Sequence, residues 1–159
     1  MDLRLPPMTT PLDPTDVAII ETLQAEGRIG MSELGRRIGL SQPATSERVK
    51  RLEERGILAG YGARIDAAAL GLGLMAVIRL RTTHEFIKPC LKQFAAMPQV
   101  IEVLRLTGED CFLLKVVVPN PAELETIVDA IARHGAVTTS LVLRQEPAKP
   151  IGRALLKQR

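Results

Sequence analysis

Between Ser41 and Gly56 the chain gathers side chains able to address phosphates and base edges. Arg48, Lys50 and Arg51 can contact phosphates, Lys50 or Arg51 can reach a guanine edge, and Glu47 can accept from a cytosine amine. Gln42 and Ser46 can hydrogen-bond a base or a phosphate. With Ser41, Pro43 and Thr45 they make up the candidate DNA-contacting residues. Blander uses compete with this one. Arg48 can pair with a neighbour such as Glu47 or Glu53, and Glu47 and Glu54 can simply face solvent.

The elements that must hold these side chains are legible from their ends. Ser41 can cap a helix, Pro43 is tolerated in its first turn, and Gly56 can close it in a left-handed conformation. Thr45, Val49 and Leu52 then share the inward face. Met31 to Ile38 is a short helical pattern, and Gly39-Leu40-Ser41 turns the chain between the two. Two short helices joined by a tight glycine turn make a helix-turn-helix, whose second helix enters the major groove. Upstream, Asp13-Pro14-Thr15-Asp16 starts a third helix with Asp13 as cap, Ile19, Ile20 and Leu23 inward, and Gly27 as stop. Residues 57–65 read as extended connector.

Charge alone does not support the reading. The chain is 159 residues with net charge +3. Yet residues 12–64 hold eight basic groups (Arg28, Arg36, Arg37, Arg48, Lys50, Arg51, Arg55, Arg64) and eight acidic ones (Asp13, Asp16, Glu21, Glu26, Glu33, Glu47, Glu53, Glu54). Binding to DNA therefore needs segregation: the acids before residue 28 must face away from the basic groups of residues 36–55.

Composition excludes other classes. Hydrophobic residues make up 46% and charged residues 25%, as in a soluble globular chain. With no Trp, one Tyr and three Phe, the core must be aliphatic. The run from Ala67 to Ile78 is too short to span a bilayer, and the first residues lack the apolar stretch of a signal peptide, so the expected address is cytoplasmic, with no membrane partner. Cys90, Cys111, His84 and His134 stand alone, so no metal site, no cofactor and no catalytic constellation is expected. Gly71-Leu72-Gly73-Leu74-Met75-Ala76 matches a dinucleotide-binding fingerprint, but a strand rather than a helix follows it, which leaves no helix N-terminus for a pyrophosphate.

From residue 71 the period changes. Residues 74–82, 100–107, 111–118 and 137–144 read as strands; 84–97 and 121–135 read as helices, the second opened by Asn120-Pro121-Ala122-Glu123. The order βαββαβ is a ferredoxin-like unit with both helices on one face of an antiparallel sheet. Runs such as Leu113-Leu114 and Val116-Val117-Val118 are apolar on both sides, and nothing in the chain remains to cover the second face. A second copy is expected there. The fold class is α+β: a helix-turn-helix, winged-helix-like head followed by a ferredoxin-like domain. The expected organisation is a flexible arm (1–11), a DNA-binding domain (12–60), a linker (61–70), the ferredoxin-like domain (71–147) and a basic tail (148–159). Ile151, Leu155 and Leu156 give that tail a short helix that either docks on a partner subunit or stays solvated.

This combination resembles the Lrp/AsnC family of feast/famine transcription regulators. Leu12-Asp13-x-x-Asp16-x-x-Ile19-Ile20-x-x-Leu23, Gly27-Arg28-Ile29, Leu40-Ser41, Glu47-Arg48-Val49-Lys50-Arg51-Leu52-Glu53-x-x-Gly56-Ile57-Leu58, Gly60-Tyr61 and Thr107-Gly108-Glu109-Asp110 carry the resemblance, which covers residues 12 to about 147. It implies that residues 31–50 read double-stranded DNA, that the second domain pairs chains into homodimers and often octamers, and that Thr107, Gly108, Glu109 and Asp110 line the site of a small-molecule effector, usually an amino acid. At that turn, Gly108 can offer backbone N–H groups to a carboxylate while Asp110 or Glu109 holds an ammonium. A plain solvated hairpin turn is the alternative. Gly30 stands where relatives often carry a polar helix cap, and Cys111 where many carry an acid. The expected function is a DNA-binding transcription regulator, not an enzyme, that answers to this effector. The competing functions are an architectural DNA binder without a ligand switch and a siroheme-decarboxylase-like enzyme.

Overall fold

The computed structural model describes residues 11–156. They fall into two compact units, one of residues 64–146 and one assembled from both ends of the chain, up to Ala63 and from Pro147 onward. The arm expected over residues 1–11 lies, but for Pro11, outside the described residues.

In the first unit, α1 spans Pro14–Ala25, α2 Met31–Ile38 and α3 Gln42–Glu54. Asp13 caps α1 by accepting from the Asp16 amide at 2.8 Å. Ser41 caps α3 by accepting from the Ala44 amide. Gly30 begins α2 without a side-chain cap. Gly39, at φ 74°, turns the chain out of α2, and the Leu40 amide donates back to the Gly35 carbonyl at 2.9 Å. Ile19, Ile20, Leu23, Leu34, Val49 and Leu52 form a small common core. The helix pair is tight at Gly35: a Cβ there would lie 2.6 Å from the Leu40 carbonyl oxygen and 2.7 Å from Thr45 Oγ1. Only a glycine lets α2 and α3 approach this closely.

The C-terminal segment belongs to the same unit. It ends in one turn of helix, α6 (Arg153–Leu156), and is fastened to α1 of its own chain. Ile151 and Leu155 stay more than half exposed, and hydrogen bonds between its backbone and the side chains of Gln24 and Glu21 hold it.

The second unit contains β1 (Leu74–Arg81), α4 (Ile87–Ala96), β2 (Val100–Arg105), β3 (Phe112–Val118), α5 (Pro121–Ala132) and β4 (Ala136–Leu141). The strands order as β2-β3-β1-β4, all antiparallel, the arrangement expected of βαββαβ. Helix α4 begins later than the sequence pattern indicates. Pro89 cannot donate to the Glu85 carbonyl, so the backbone runs through a 3-10 turn at His84–Phe86 first. Register places Ala76, Ile78 and Leu80 opposite Val116, Leu114 and Phe112, and all six are buried against Cys90, Phe94, Leu124, Ile127 and Ile131 of the helices. The other face carries the second halves of the apolar runs, Met75, Val77, Leu104, Leu113 and Val117, together with Arg79, Arg81, Lys115, Thr138 and Ser140. No helix of the described residues is long and apolar enough to cross a membrane.

Candidate nucleic-acid interface and effector turn

Helix α3 divides the predicted DNA-contacting residues. Ser41, Gln42, Pro43, Glu47, Lys50 and Arg51 are exposed and Ser46 is half-buried, with Gln42 Nε2 donating to Ser46 Oγ at 3.2 Å. These seven lie on the outward face, alongside the cap. Thr45 and Arg48 do not. Thr45 is fully buried, its hydroxyl donating to the Ser41 carbonyl at 2.9 Å, so it positions the start of α3. Arg48 turns back to α1, where Nη1 lies 2.6 Å from Asp13 Oδ2 and 2.8 Å from Asp16 Oδ1. Both placements depart from the outward position expected of a DNA contact, and each has the same cause: a side chain one turn before Val49 or Leu52 falls on the inward half of α3.

The required charge segregation fails in its simple form. Asp13 and Asp16 face Arg48, and Glu26 faces Arg37 at 2.6 Å. Glu33 takes both Arg36, at 2.7 Å, and Arg37, at 2.9 Å. The two guanidiniums pull the Glu33 carboxyl down to about 2. The Asp16 amide and Arg48 hold Asp13 below the ordinary carboxylate range, and Arg37 does the same for Glu26. Glu53 accepts from the Tyr61 hydroxyl at 2.9 Å, and burial with this carboxylate beside it pushes the phenol up to about 12. Lys50 sits 3.6 Å from Glu54, both well exposed. On α3 this leaves Arg51 exposed with no ion pair among the described residues, and Arg28 is exposed before α2. Acids take Arg36, Arg37 and Arg48, while Arg51 on the outward face of α3 stays available to a polyanion.

In the second unit the predicted Thr107–Asp110 turn joins β2 to β3. Gly108 has φ 105°, which only glycine adopts without strain. The turn is braced by three residues that sequence reading missed. Arg79 lies 3.6 Å from Asp110 and Arg81 3.4 Å from Glu109. Arg105 stacks over Phe112 at 4.9 Å and donates to the Cys111 carbonyl at the turn's base. Cys111 closes the other side, its amide donating to Leu80 at 2.8 Å and its thiol lying 3.1 Å from the Thr82 carbonyl. Arg79 and Arg81 are two residues apart on one strand face, a spacing that could have drawn attention to them. The isolated residues stay apart: Cys90 is buried under the sheet, its thiol pushed up by that burial. His134 lies half-buried with Nε2 2.6 Å from Gln93 Oε1.

Comparison with known proteins assigns each unit. A family model described as winged helix-turn-helix DNA-binding matches residues 12–59. One described as the Lrp/AsnC ligand binding domain matches residues 75–149. The chain is 36% identical over 141 residues to the leucine-responsive regulatory protein of Rhizobium meliloti, covering 84% of this chain and 90% of that one. The structure of Bacillus subtilis LrpC superposes with a TM-score of 0.82 at 27% identity, over 88% of this chain and all of that one. A transcriptional regulator of Neisseria meningitidis solved in complex with L-Met superposes with a TM-score of 0.75 at 31% identity, over 86% and 93%.

Proposed function

This chain belongs to the Lrp/AsnC family of transcriptional regulators, and from that premise we propose how its two units divide the work. The first unit binds duplex DNA through the outward face of α3. Arg51 and Lys50 meet phosphates or a guanine edge, Gln42 and Ser46 hydrogen-bond near the helix start, and Glu47 selects for a cytosine amine. The observation that carries this reading is Arg51: among the described residues it stays exposed with no ion pair, while Asp13, Asp16, Glu26 and Glu33 are drawn onto Arg36, Arg37 and Arg48. Thr45 and Arg48 act by holding the helix in place.

The second unit senses an amino acid at the Thr107–Asp110 turn. A zwitterion carries both charges needed to split the ion pairs there. Its ammonium goes to Asp110 or Glu109, and its carboxylate to the Gly108 backbone and the freed guanidiniums of Arg79 and Arg81. The complex with L-Met solved for the Neisseria relative supports this chemistry. Chains pair through the helix-free face of the sheet, where Leu104 is about half exposed beside Leu113, and homodimers assemble further to octamers. Two heads per dimer then read half-sites about one helical turn, or a multiple of it, apart. The protein works in the cytoplasm as a regulator and not as an enzyme.

The test is operator binding at fixed salt, with and without each amino acid, combined with sizing. At least one amino acid should shift affinity, footprint or assembly size. Asp110→Ala should keep DNA binding and lose that shift; a retained response refutes the turn as effector site. If no amino acid has an effect, the protein is an architectural binder.

A further inference from the structure

We propose that Glu21 and Gln24 on α1 form a docking site for the chain's own C-terminal segment, which makes this segment a second anchor between the DNA-binding head and the sheet unit. The site is built for a backbone. Gln24 presents its amide to Ile151 in both directions: Nε2 donates to the Ile151 carbonyl at 2.7 Å, and Oε1 accepts from the Ile151 amide at 2.9 Å. The same Nε2 lies 3.2 Å from the Ile20 carbonyl, which orients the side chain. One turn earlier, Glu21 Oε1 accepts from the Arg153 amide at 2.7 Å. Between them sits Gly152, where a Cβ would lie 2.5 Å from Glu21 Oε1. A glycine is what lets the carboxylate reach past it to residue 153.

Three directional hydrogen bonds from side chains one turn apart on α1 fix the segment in register, although Ile151 and Leu155 gain little burial. The consequence follows from connectivity. Residues 64–146 form the sheet unit, and the chain returns to the head on both sides of it. The docked segment thus gives the sheet unit a second covalent lead to α1, the helix whose Asp13 and Asp16 hold Arg48 of the recognition helix. The signalling half of this inference rests on the sheet unit being the effector sensor; the docking half does not.

Amide hydrogen exchange on the full chain tests the docking. In the wild type, the Ile151 and Arg153 amides should exchange at least ~10-fold more slowly than in a free peptide of residues 147–159. The E21A/Q24A double variant should release them to the free-peptide rate and open Arg153 to trypsin, while α1–α3 stay protected. Gly152→Val, which leaves α1 untouched, should do the same. Free-peptide rates in the wild type, or protection kept in both variants, overturns the docking. Operator titrations with and without amino acids test the signalling. The double variant should bind DNA but lose the effector shift that the wild type shows, and a shift equal to the wild type's overturns it. A wild type that answers to no amino acid overturns both the effector reading and the signalling, and leaves the docking to the exchange rates.

Discussion

The head and the sheet unit are stabilised by different means. The sheet unit buries a core of twelve residues between one sheet face and two helices, nine of them aliphatic. The head has six core residues among those described, and ion pairs tie its helices together: Arg48 to Asp13 and Asp16, Arg37 to Glu26. The contrast shows where each unit can carry its function. A small core leaves the head dependent on charge, so the cations it uses internally are lost to DNA and the acids must be placed to spare Arg51. The sheet unit has core to spare and can leave charged residues, Arg79, Arg81 and Lys115, on its second face.

The largest effect should come from the larger core. Phe112→Ala removes a fully buried ring that packs edge-on against Phe94, and should cost about 3–5 kcal/mol. Hydrogen exchange should report this in the sheet unit, with α1–α3 unchanged; equal loss in both would make the two units one cooperative body. Next, Gly35→Ala should destabilise the head by about 1–3 kcal/mol, because the added methyl meets a backbone carbonyl that cannot move aside. Thermal melts should show the head alone affected, with DNA binding lost at the lower temperature.

Two arginines on one helix sharpen the comparison further. Arg51→Ala should weaken duplex binding about tenfold and lower the slope of affinity against salt by about one phosphate contact. Arg48→Ala should leave that slope unchanged and instead cost the head about 1 kcal/mol in a denaturant titration, since its pairs with α1 are only partly shielded from solvent. A changed slope for Arg48→Ala would return it to the DNA surface. The smallest effect is that of acid. Glu33 is held at about 2 in the folded head against 4.5 ordinarily. A depressed carboxyl stabilises above its ordinary value, and that stability is lost as pH falls from about 4.5 toward 2. Head melts recorded over this range should fall less steeply for Glu33→Gln than for the wild type.

Much of the fold was legible in the residues because its signals are local. Asp13, Ser41 and Asn120 cap helices through amides three residues on, Gly39 and Gly108 take the left-handed turns their positions require, and alternation marks the buried halves of β1 and β3. These depend on neighbours within one turn or one strand, and a linear chain displays them. What it does not display is which distant groups meet. Asp13 and Asp16 lie more than thirty residues from Arg48, and Gln24 lies 127 from Ile151. Helical period puts Arg48, one turn before Leu52, on the inward half of α3 and Arg51 on the outward half, but no local rule names Asp13 and Asp16 as the partners of the first. That is decided when α1 packs across α3 and brings its acids to one side of the recognition helix, because an ion pair forms wherever tertiary geometry closes the distance. The sequence by itself determined the helices, the strand order's ingredients and the two-unit plan; tertiary packing decided which charges are free to act.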